Sequence, residues 1–259
     1  MGKDKKSQLH IASCSFGKDS VASILLALEN NEPLDRVVFA EVMFDHERGI
    51  SGEIPEHIEW VYNTAIPKLE QMGVKVDVVK SKKDYIHFFR SSVRGKGKYQ
   101  GKIYGFPIGG MCVINRECKR NPIHQYYKQF DCDIVQYVGI AIDEPKRLAR
   151  LKQEGKTSQI SLLAKYGYTE DMAKAKCLEY GLLSPIYGGG GNRNGCWFCP
   201  NVRINDFAKF KLAHPDLWNE LIELSKIPNL CSYGFKYGKT VQEIDERIDA
   251  INAQGSLFD

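Results

Sequence analysis

Between an apolar run, Leu9 to Cys14, and a run rich in Ala and Leu, Val21 to Glu29, lie six residues: Ser15-Phe16-Gly17-Lys18-Asp19-Ser20. The first run reads as a short buried strand and the second as a helix, so the six form a strand-to-helix turn. The N–H groups of a helix's first turn have no intrahelical partner and carry the positive end of its dipole. A phosphate docks there with little reorganisation. Lys18 adds charge, and Ser15 and Ser20 add hydroxyls. The spacing is neither Gly-x-x-x-x-Gly-Lys-Ser/Thr nor Gly-x-Gly-x-x-Gly, which excludes those two phosphate-binding turns.

The pattern then alternates. Arg36 to Phe44 reads as a second strand ending at Asp45, Val74 to Val79 as a third and Ile134 to Ile142 as a fourth. A helix opens at Pro55 and runs to about Met72, with Pro67 kinking it and Gly73 stopping it. Such alternation predicts an α/β fold, a Rossmann-like parallel sheet with helices on both faces, binding ligands at the carboxyl ends of its strands. The first loop, Asp45 and Asp143 fall at such ends. From about residue 150 the pattern turns helical. Thr169-Glu170-Asp171 starts one helix and Gly181 ends it; Thr240-Val-Gln-Glu243 is a capping box for another, with Val241, Ile244, Ile248 and Ile251 on one apolar face. The expectation is a nucleotide-binding α/β domain over residues 1–150 and a helical cap over residues 151–259, within which Gly188 to Gly195 is a flexible approach to the pair Cys196 and Cys199.

Apolar content of 43%, charged content of 26% and a net charge of +4 are ordinary for a globular protein and permit an anionic partner without requiring one. No apolar run approaches a membrane span, and Met-Gly-Lys-Asp-Lys-Lys leads straight into the first strand, so a cytoplasmic protein without a membrane partner is expected. Eight cysteines in such a chain point to reduced thiols or metal ligands. Cys196-Trp-Phe-Cys199 has the spacing of a zinc or iron–sulfur half-site. Cys112 and Cys118 are candidates for the other two ligands of a four-cysteine site tying the sheet domain to the cap; the alternatives are a redox dithiol or core thiols. Cys14, Cys132, Cys177 and Cys231 read as core residues. Arg90, Arg94, Lys96, Lys98 and Lys102, interleaved with glycines and with Tyr99, Tyr104 and Phe106, read as a mobile basic loop. Such a loop can follow a phosphate backbone while its rings stack on bases, or serve as a solvated loop or a lid.

Ser15 to Ser20 closely resembles the Ser-Gly-Gly-x-Asp-Ser PP-loop of the adenine-nucleotide alpha-hydrolase superfamily, with Phe16 in place of the first Gly. That superfamily includes the N-type ATP pyrophosphatases and the sulfonucleotide reductases. Cys118-Lys-Arg-Asn-Pro-Ile123, Gly139-Ile-Ala-Ile-Asp143-Glu144-x-x-Arg147 and Gly195-Cys-Trp-Phe-Cys-Pro200 follow in the order seen in phosphoadenosine phosphosulfate reductase-like proteins. That group also holds the ATP pyrophosphatases of DNA phosphorothioation. The resemblance spans Ser15 to about Trp218. It implies that Ser15, Phe16, Gly17, Lys18, Asp19 and Ser20 hold the phosphates of ATP or of phosphoadenosine phosphosulfate, Asp19 also orienting Mg²⁺. It also implies that Asp45 and Asp143 line the nucleotide and that Lys119 and Arg147, with Lys18 and Asp19, act on the transferring group.

One departure bears on the chemistry. The resembling reductases carry a nucleophilic cysteine in a C-terminal Glu-Cys-Gly-x-His motif, and this chain ends Gln254-Gly-Ser-Leu-Phe-Asp259. The expected reaction is therefore ATP-dependent adenylation of a substrate with pyrophosphate release, for sulfur transfer. The alternatives are a sulfonucleotide reductase using a non-standard or partner thiol, and a non-catalytic nucleotide-binding module of a DNA-modification or defence complex. Gln254 to Phe258 looks like the short peptide by which bacterial and phage proteins bind the DNA sliding clamp. Expected partners are thus an adenine nucleotide, a nucleic-acid acceptor, a sliding clamp, and further copies or other components of a complex.

Overall fold

The computed structural model describes residues 8–107, 112–152, 155–188 and 195–255, without the side chains of 254 and 255. In chain order its strands are β1 (Gln8–Ser13), β2 (Arg36–Glu41), β3 (Met43–Asp45), β4 (Ile50–Ser51), β5 (Val76–Lys80), β6 (Asp133–Tyr137) and β7 (Thr157–Ile160). Five of them form one sheet in the order β5-β2-β1-β6-β7, every neighbouring pair parallel. Strand side chains alternate between faces, and both faces are buried. Ala12, Val37, Phe39, Val135 and Tyr137 pack on helices Lys18–Glu29, Leu162–Lys165 and Glu170–Glu179, while Ile11, Val38 and Ile134 pack on Tyr126 and Tyr127 of helix Asn121–Tyr127. The expected α/β class, with helices on both faces of a parallel sheet, is what the chain forms.

The elements differ from the sequence pattern in three places. The apolar run expected to be one strand to Phe44 breaks after Glu41, and Met43–Asp45 turns back as a separate hairpin with β4. The strand expected to reach Ile142 stops at Tyr137. Finally, β7 lies in a stretch read as helical; its Thr-Ser-Gln-Ile is short and polar because it pairs on one side only, at the sheet edge.

Proline shapes two helices in the same way. Pro67 has no N–H to continue the ladder, and the turn before it, Val61–Ala65, widens to π geometry between helices Pro55–Trp60 and Ile66–Gln71. Asn115–Arg120 is likewise a π turn, placed just before helix Asn121–Tyr127 with its Pro122. Such turns absorb a proline without ending the helix.

The chain forms two compact units from interleaved segments. The first comprises Met1–Glu41, Ile54–Lys80 and Lys119–Asn194, and holds the parallel sheet. The second comprises Val42–Glu53, Ser81–Cys118 and Gly195–Asp259. A single boundary near residue 150 does not separate them. The second unit contains the β3–β4 hairpin, helices Ile204–Ala213, Pro215–Ser225 and Val241–Gly255, and an aromatic core. In that core Phe44 stacks on Tyr85 at 5.2 Å, Trp197 on Phe210 at 5.7 Å, and Phe89 meets Phe106 edge-on at 5.0 Å. The expected capping box is formed: Thr240 Oγ1 accepts from Glu243 N at 3.2 Å and Glu243 Oε2 accepts from Thr240 N at 2.8 Å. No helix among the described residues is long and apolar enough to cross a membrane.

Candidate functional site

In the first unit the chain runs outward from β1 to β2 and β5 on one side, and through β6 to β7 on the other. The sheet therefore diverges between β1 and β6, the position at which open α/β sheets bind ligands. The loop after β1 leads there into helix Lys18–Glu29, whose N-cap, Gly17, supplies no side-chain cap. No N-cap side chain covers that end, whose Lys18 N–H meets the Tyr187 hydroxyl, and a first helical turn of this kind can receive an anion.

The loop is held by contacts that its own sequence does not show. A Cβ placed on Gly139, two residues past β6, would lie 2.5 Å from Ser20 N, 2.6 Å from Asp19 C and 2.8 Å from Asp19 O. Only glycine allows the backbones leaving β1 and β6 to approach this closely. Phe16 has φ of +56°, the left-handed region that a glycine usually takes. Its ring is fully buried, edge-on to Phe39 at 5.3 Å and to Trp60 at 6.4 Å. Packing of the ring thus offsets the backbone strain. The buried His57 holds the Ser15 carbonyl at 3.1 Å through Nε2; because a carbonyl only accepts, Nε2 carries a proton. Its Nδ1 meets Ser184 Oγ at 2.8 Å.

Lys18, the loop's cation, is almost buried. Its Nζ donates to Asp19 Oδ1 at 2.8 Å and to Glu170 Oε2 at 2.6 Å. Burial opposes its charge, but the two carboxylates overcome that and raise its pKa above the ordinary lysine value. Asp19 is also raised, first by burial and then by the charges of Glu170 and Glu144, against the opposing Lys18. The Lys18 N–H donates to the Tyr187 hydroxyl at 3.3 Å, and Cys177 Sγ donates to the Lys18 carbonyl at 3.1 Å. Ser20 Oγ donates to Gly17 O at 2.9 Å and accepts from Ser15 N at 3.3 Å. Burial pushes the thiols of Cys14 and Cys177 up to about 11 and about 12, so both stay protonated at neutral pH.

The other expected residues divide between the units. Asp143 Oδ2 accepts from the N–H of Glu170 at 3.3 Å, which links it through Glu170 to Lys18. Arg147 is exposed, its Nη1 2.5 Å from Glu144 Oε1, and Lys119 is half-buried at the start of a first-unit segment. Asp45 belongs to the second unit, where Oδ1 accepts from Glu47 N at 3.0 Å and Arg48 N at 3.2 Å, the side-chain turn of the β3–β4 hairpin. His57, Glu170, Ser184, Tyr187 and Gly139 are the site residues that sequence reasoning gave no role. Only Gly139 carried a signal, as a lone glycine inside the run read as a strand to Ile142 and as the first residue of the resembling segment to Arg147.

The four cysteines of the expected metal site all lie in the second unit. Cys196 to Cys199 is a tight turn closed by Cys199 N to Cys196 O at 3.1 Å. It is clamped on the β3–β4 hairpin: Trp197 N donates to Gly52 O at 3.0 Å and Trp197 Nε1 to Ser51 O at 2.9 Å. Cys118 is buried with Sγ donating to Lys83 O at 3.3 Å, while Cys112 is exposed. Among the described residues the buried Tyr85 hydroxyl has no hydrogen-bond partner, and burial, joined by Cys112, Cys196 and Cys199, raises its pKa. The donor chemistry is that of a zinc or iron–sulfur site. Among the described residues, however, no group of three His, Cys, Asp or Glu side chains is arranged to hold a metal ion. The segment Gly188 to Gly195, expected to be flexible, lies largely outside the described residues, as do the side chains from Gln254 onward, the expected clamp peptide.

Comparison with known proteins adds two likenesses. The chain is 24% identical over 235 residues to an uncharacterized protein of Methanocaldococcus jannaschii, covering 86% of this chain and 44% of that protein. It thus spans less than half of that relative's length. A solved structure, the U34-tRNA thiolase NcsA from Methanococcus maripaludis with its 4Fe-4S cluster, aligns over 96% of this chain and 74% of that one, with 15% identity and a TM-score of 0.44. No family model matches the chain.

Proposed function

We propose that the protein is an ATP-dependent enzyme that adenylates a substrate and releases pyrophosphate, serving sulfur transfer. The observation that carries this reading is the uncapped helix N-terminus at the point where the sheet diverges, with Lys18 beside it. In the reaction a substrate oxygen attacks the α-phosphorus of ATP, the bond from that phosphorus to the bridging oxygen breaks, and pyrophosphate leaves. A sulfur or nitrogen nucleophile then displaces AMP. The N–H groups of the first helical turn and Lys18 hold the phosphates where charge develops. Asp19, Glu144 and Glu170 give the surroundings of Lys18 an excess of negative charge. A polyphosphate is therefore bound as its Mg²⁺ complex, with Asp19 oriented toward the cation. Lys119 and Arg147 remain the proposed cations for the transferring group. The reductase alternative is disfavoured by the raised pKa values of Cys14 and Cys177, which keep these two thiols of the first unit from acting as thiolates.

The test uses the full chain with Mg²⁺ and ATP labelled at the α-phosphate. Pyrophosphate and AMP should form, and Asp19→Ala and Ser15→Ala should each abolish their release while the protein stays folded. Normal ATP binding by both variants would remove the assignment. Sulfite release from a sulfonucleotide would favour the reductase, and binding without turnover the accessory module.

A further inference from the structure

The second unit carries a surface that the nucleotide chemistry does not use. From Tyr85 to Arg116 the sequence contains no acidic residue, and it contains Arg90, Arg94, Lys96, Lys98, Lys102 and Arg116. From Ser225 to Thr240 there is again none. The structure lays residues 101–105 of the first stretch beside residues 229–232 of the second. Val93 N donates to Lys102 O at 2.9 Å and Tyr104 N to Ser91 O at 2.9 Å, so the basic segment is a hydrogen-bonded hairpin with Arg94 to Gln100 at its tip. Its return strand pairs with the second stretch: Ile103 N donates to Asn229 O at 2.9 Å and Cys231 N to Ile103 O at 2.7 Å.

Four tyrosines stand on this surface. Tyr99, Tyr104, Tyr233 and Tyr237 are between 43% and 85% exposed, whereas of the four phenylalanines on the same stretches Phe89, Phe106 and Phe235 are buried and Phe88 is half-buried. Lys98 and Lys102 lie over the Tyr99 ring at 5.5 and 5.9 Å, and Lys236 lies over Tyr237 at 4.1 Å. Lys236 is itself buried and bound to the carbonyls of Pro200 and Val202 at 2.7 and 2.8 Å, which anchors the segment that bears Tyr237. On the second stretch Lys226 and Lys239 are matched by Glu223 and Glu243, as Lys176 is by Glu29 in the first unit. Among the described residues, Arg90, Arg94, Lys96, Lys98 and Lys102 have no such partner.

We infer that this surface, with the unmatched cations of the hairpin beside four exposed tyrosines, binds a single-stranded nucleic acid. Unmatched cations attract a phosphate backbone, and exposed rings offer faces on which bases stack. A duplex keeps its bases stacked on one another and presents no free face to four rings. A polyanion without bases would use the cations and leave the tyrosines idle. The binding stands on this unit alone; that the bound strand is also the acceptor of the activated chemistry rests on the function proposed above.

The test is fluorescence anisotropy with the full chain and a labelled strand of about 16 nucleotides, the upper site size of a typical single-strand-binding module. RNA and DNA strands, the matching duplex and heparin form the arms. Five phosphate contacts on a single strand give a slope of log affinity against log salt of about −3.5. The triple variant Arg94→Ala, Lys96→Ala, Lys98→Ala should weaken binding and flatten that slope by about 2. Tyr104→Ala and Tyr233→Ala should each cost roughly 5- to 100-fold with the slope unchanged, and Tyr104→Phe should bind like the parent. Tyrosine variants that bind normally, or heparin and duplex bound as tightly as the strand, would overturn the proposal. Asp19→Ala should leave oligonucleotide binding intact, so failure of the nucleotide site and failure of this surface are separately visible.

Discussion

Gly139→Ala adds one methyl group at the point where the two halves of the sheet part, and its consequence can be worked from the contacts. The new carbon would sit 2.5 Å from Ser20 N and 2.6 Å from Asp19 C, against an ordinary separation of about 3.5 Å. Roughly 1 Å must be found. Both atoms are backbone, in a turn held by the ion pair from Lys18 to Glu170 and by the Cys177 contact to the Lys18 carbonyl. No rotamer change relieves the overlap, so the phosphate loop must move as a body. Overpacking of this kind costs about 1–3 kcal/mol, and backbone on both sides puts this case near the upper end. With a urea dependence of about 2.5 kcal/mol per molar, the unfolding midpoint should fall by roughly 1 M. A loop displaced by about 1 Å should also lose on the order of 100-fold in pyrophosphate release. Gly95→Ala is the control, since nothing lies within 4 Å of its added carbon. Urea titration followed by fluorescence, with a pyrophosphate-release assay on the same samples, reads both effects. A Gly139→Ala protein with the parental midpoint and the parental rate would refute the close approach as the reason for this glycine.

Phe16→Gly should destabilise the protein by about 2–3 kcal/mol in the same urea assay although it removes a strained residue: relief of the left-handed backbone is worth about 1–2 kcal/mol and loss of a buried ring costs about 3–5 kcal/mol. An unchanged or higher midpoint would show that the ring contributes little. Because burial raises Asp19, the folded state keeps its proton to a higher pH than the unfolded chain, so this group's stabilisation is complete below the ordinary aspartate value of about 3.9 and is lost as pH rises through the raised folded value. Asp19→Asn should therefore flatten the fall in stability just above pH ~4, and an identical pH profile would contradict the shift. If the four cysteines bind metal, protein purified without oxygen should contain zinc or iron, and Cys196→Ser should lose metal and solubility together; parent protein holding neither metal removes the site.

The fold was readable where a residue's role is local. The Thr240 to Glu243 capping box, Thr169 as an N-cap and the strand-to-helix turn at Ser15 are all settled by neighbours within a few positions. What could not be read depends on distant partners. Phe16 breaks the glycine pattern of the loop, and only Phe39 and Trp60 explain how it is accommodated. His57 and Ser184 lie far from the loop in sequence and have no local pattern to mark them, yet they hold the Ser15 carbonyl. β7 was hidden because an edge strand needs no apolar alternation, and the break after Glu41 because an apolar run continues across it. Asp45 ends a predicted strand, as a ligand residue would, but serves a turn in the other unit.

The interleaving of the two units has a consequence for how such a protein can be inherited and rebuilt. The chain changes unit five times, after Glu41, Glu53, Lys80, Cys118 and Asn194. No single recombination crossover can therefore exchange one unit and leave the other whole, and no single cut of the gene separates the two units intact. A lineage that alters the basic hairpin or the phosphate loop does so within a frame that the two units share. The two surfaces are bound to the same history, and a library designer who wishes to vary one must transplant its pieces together.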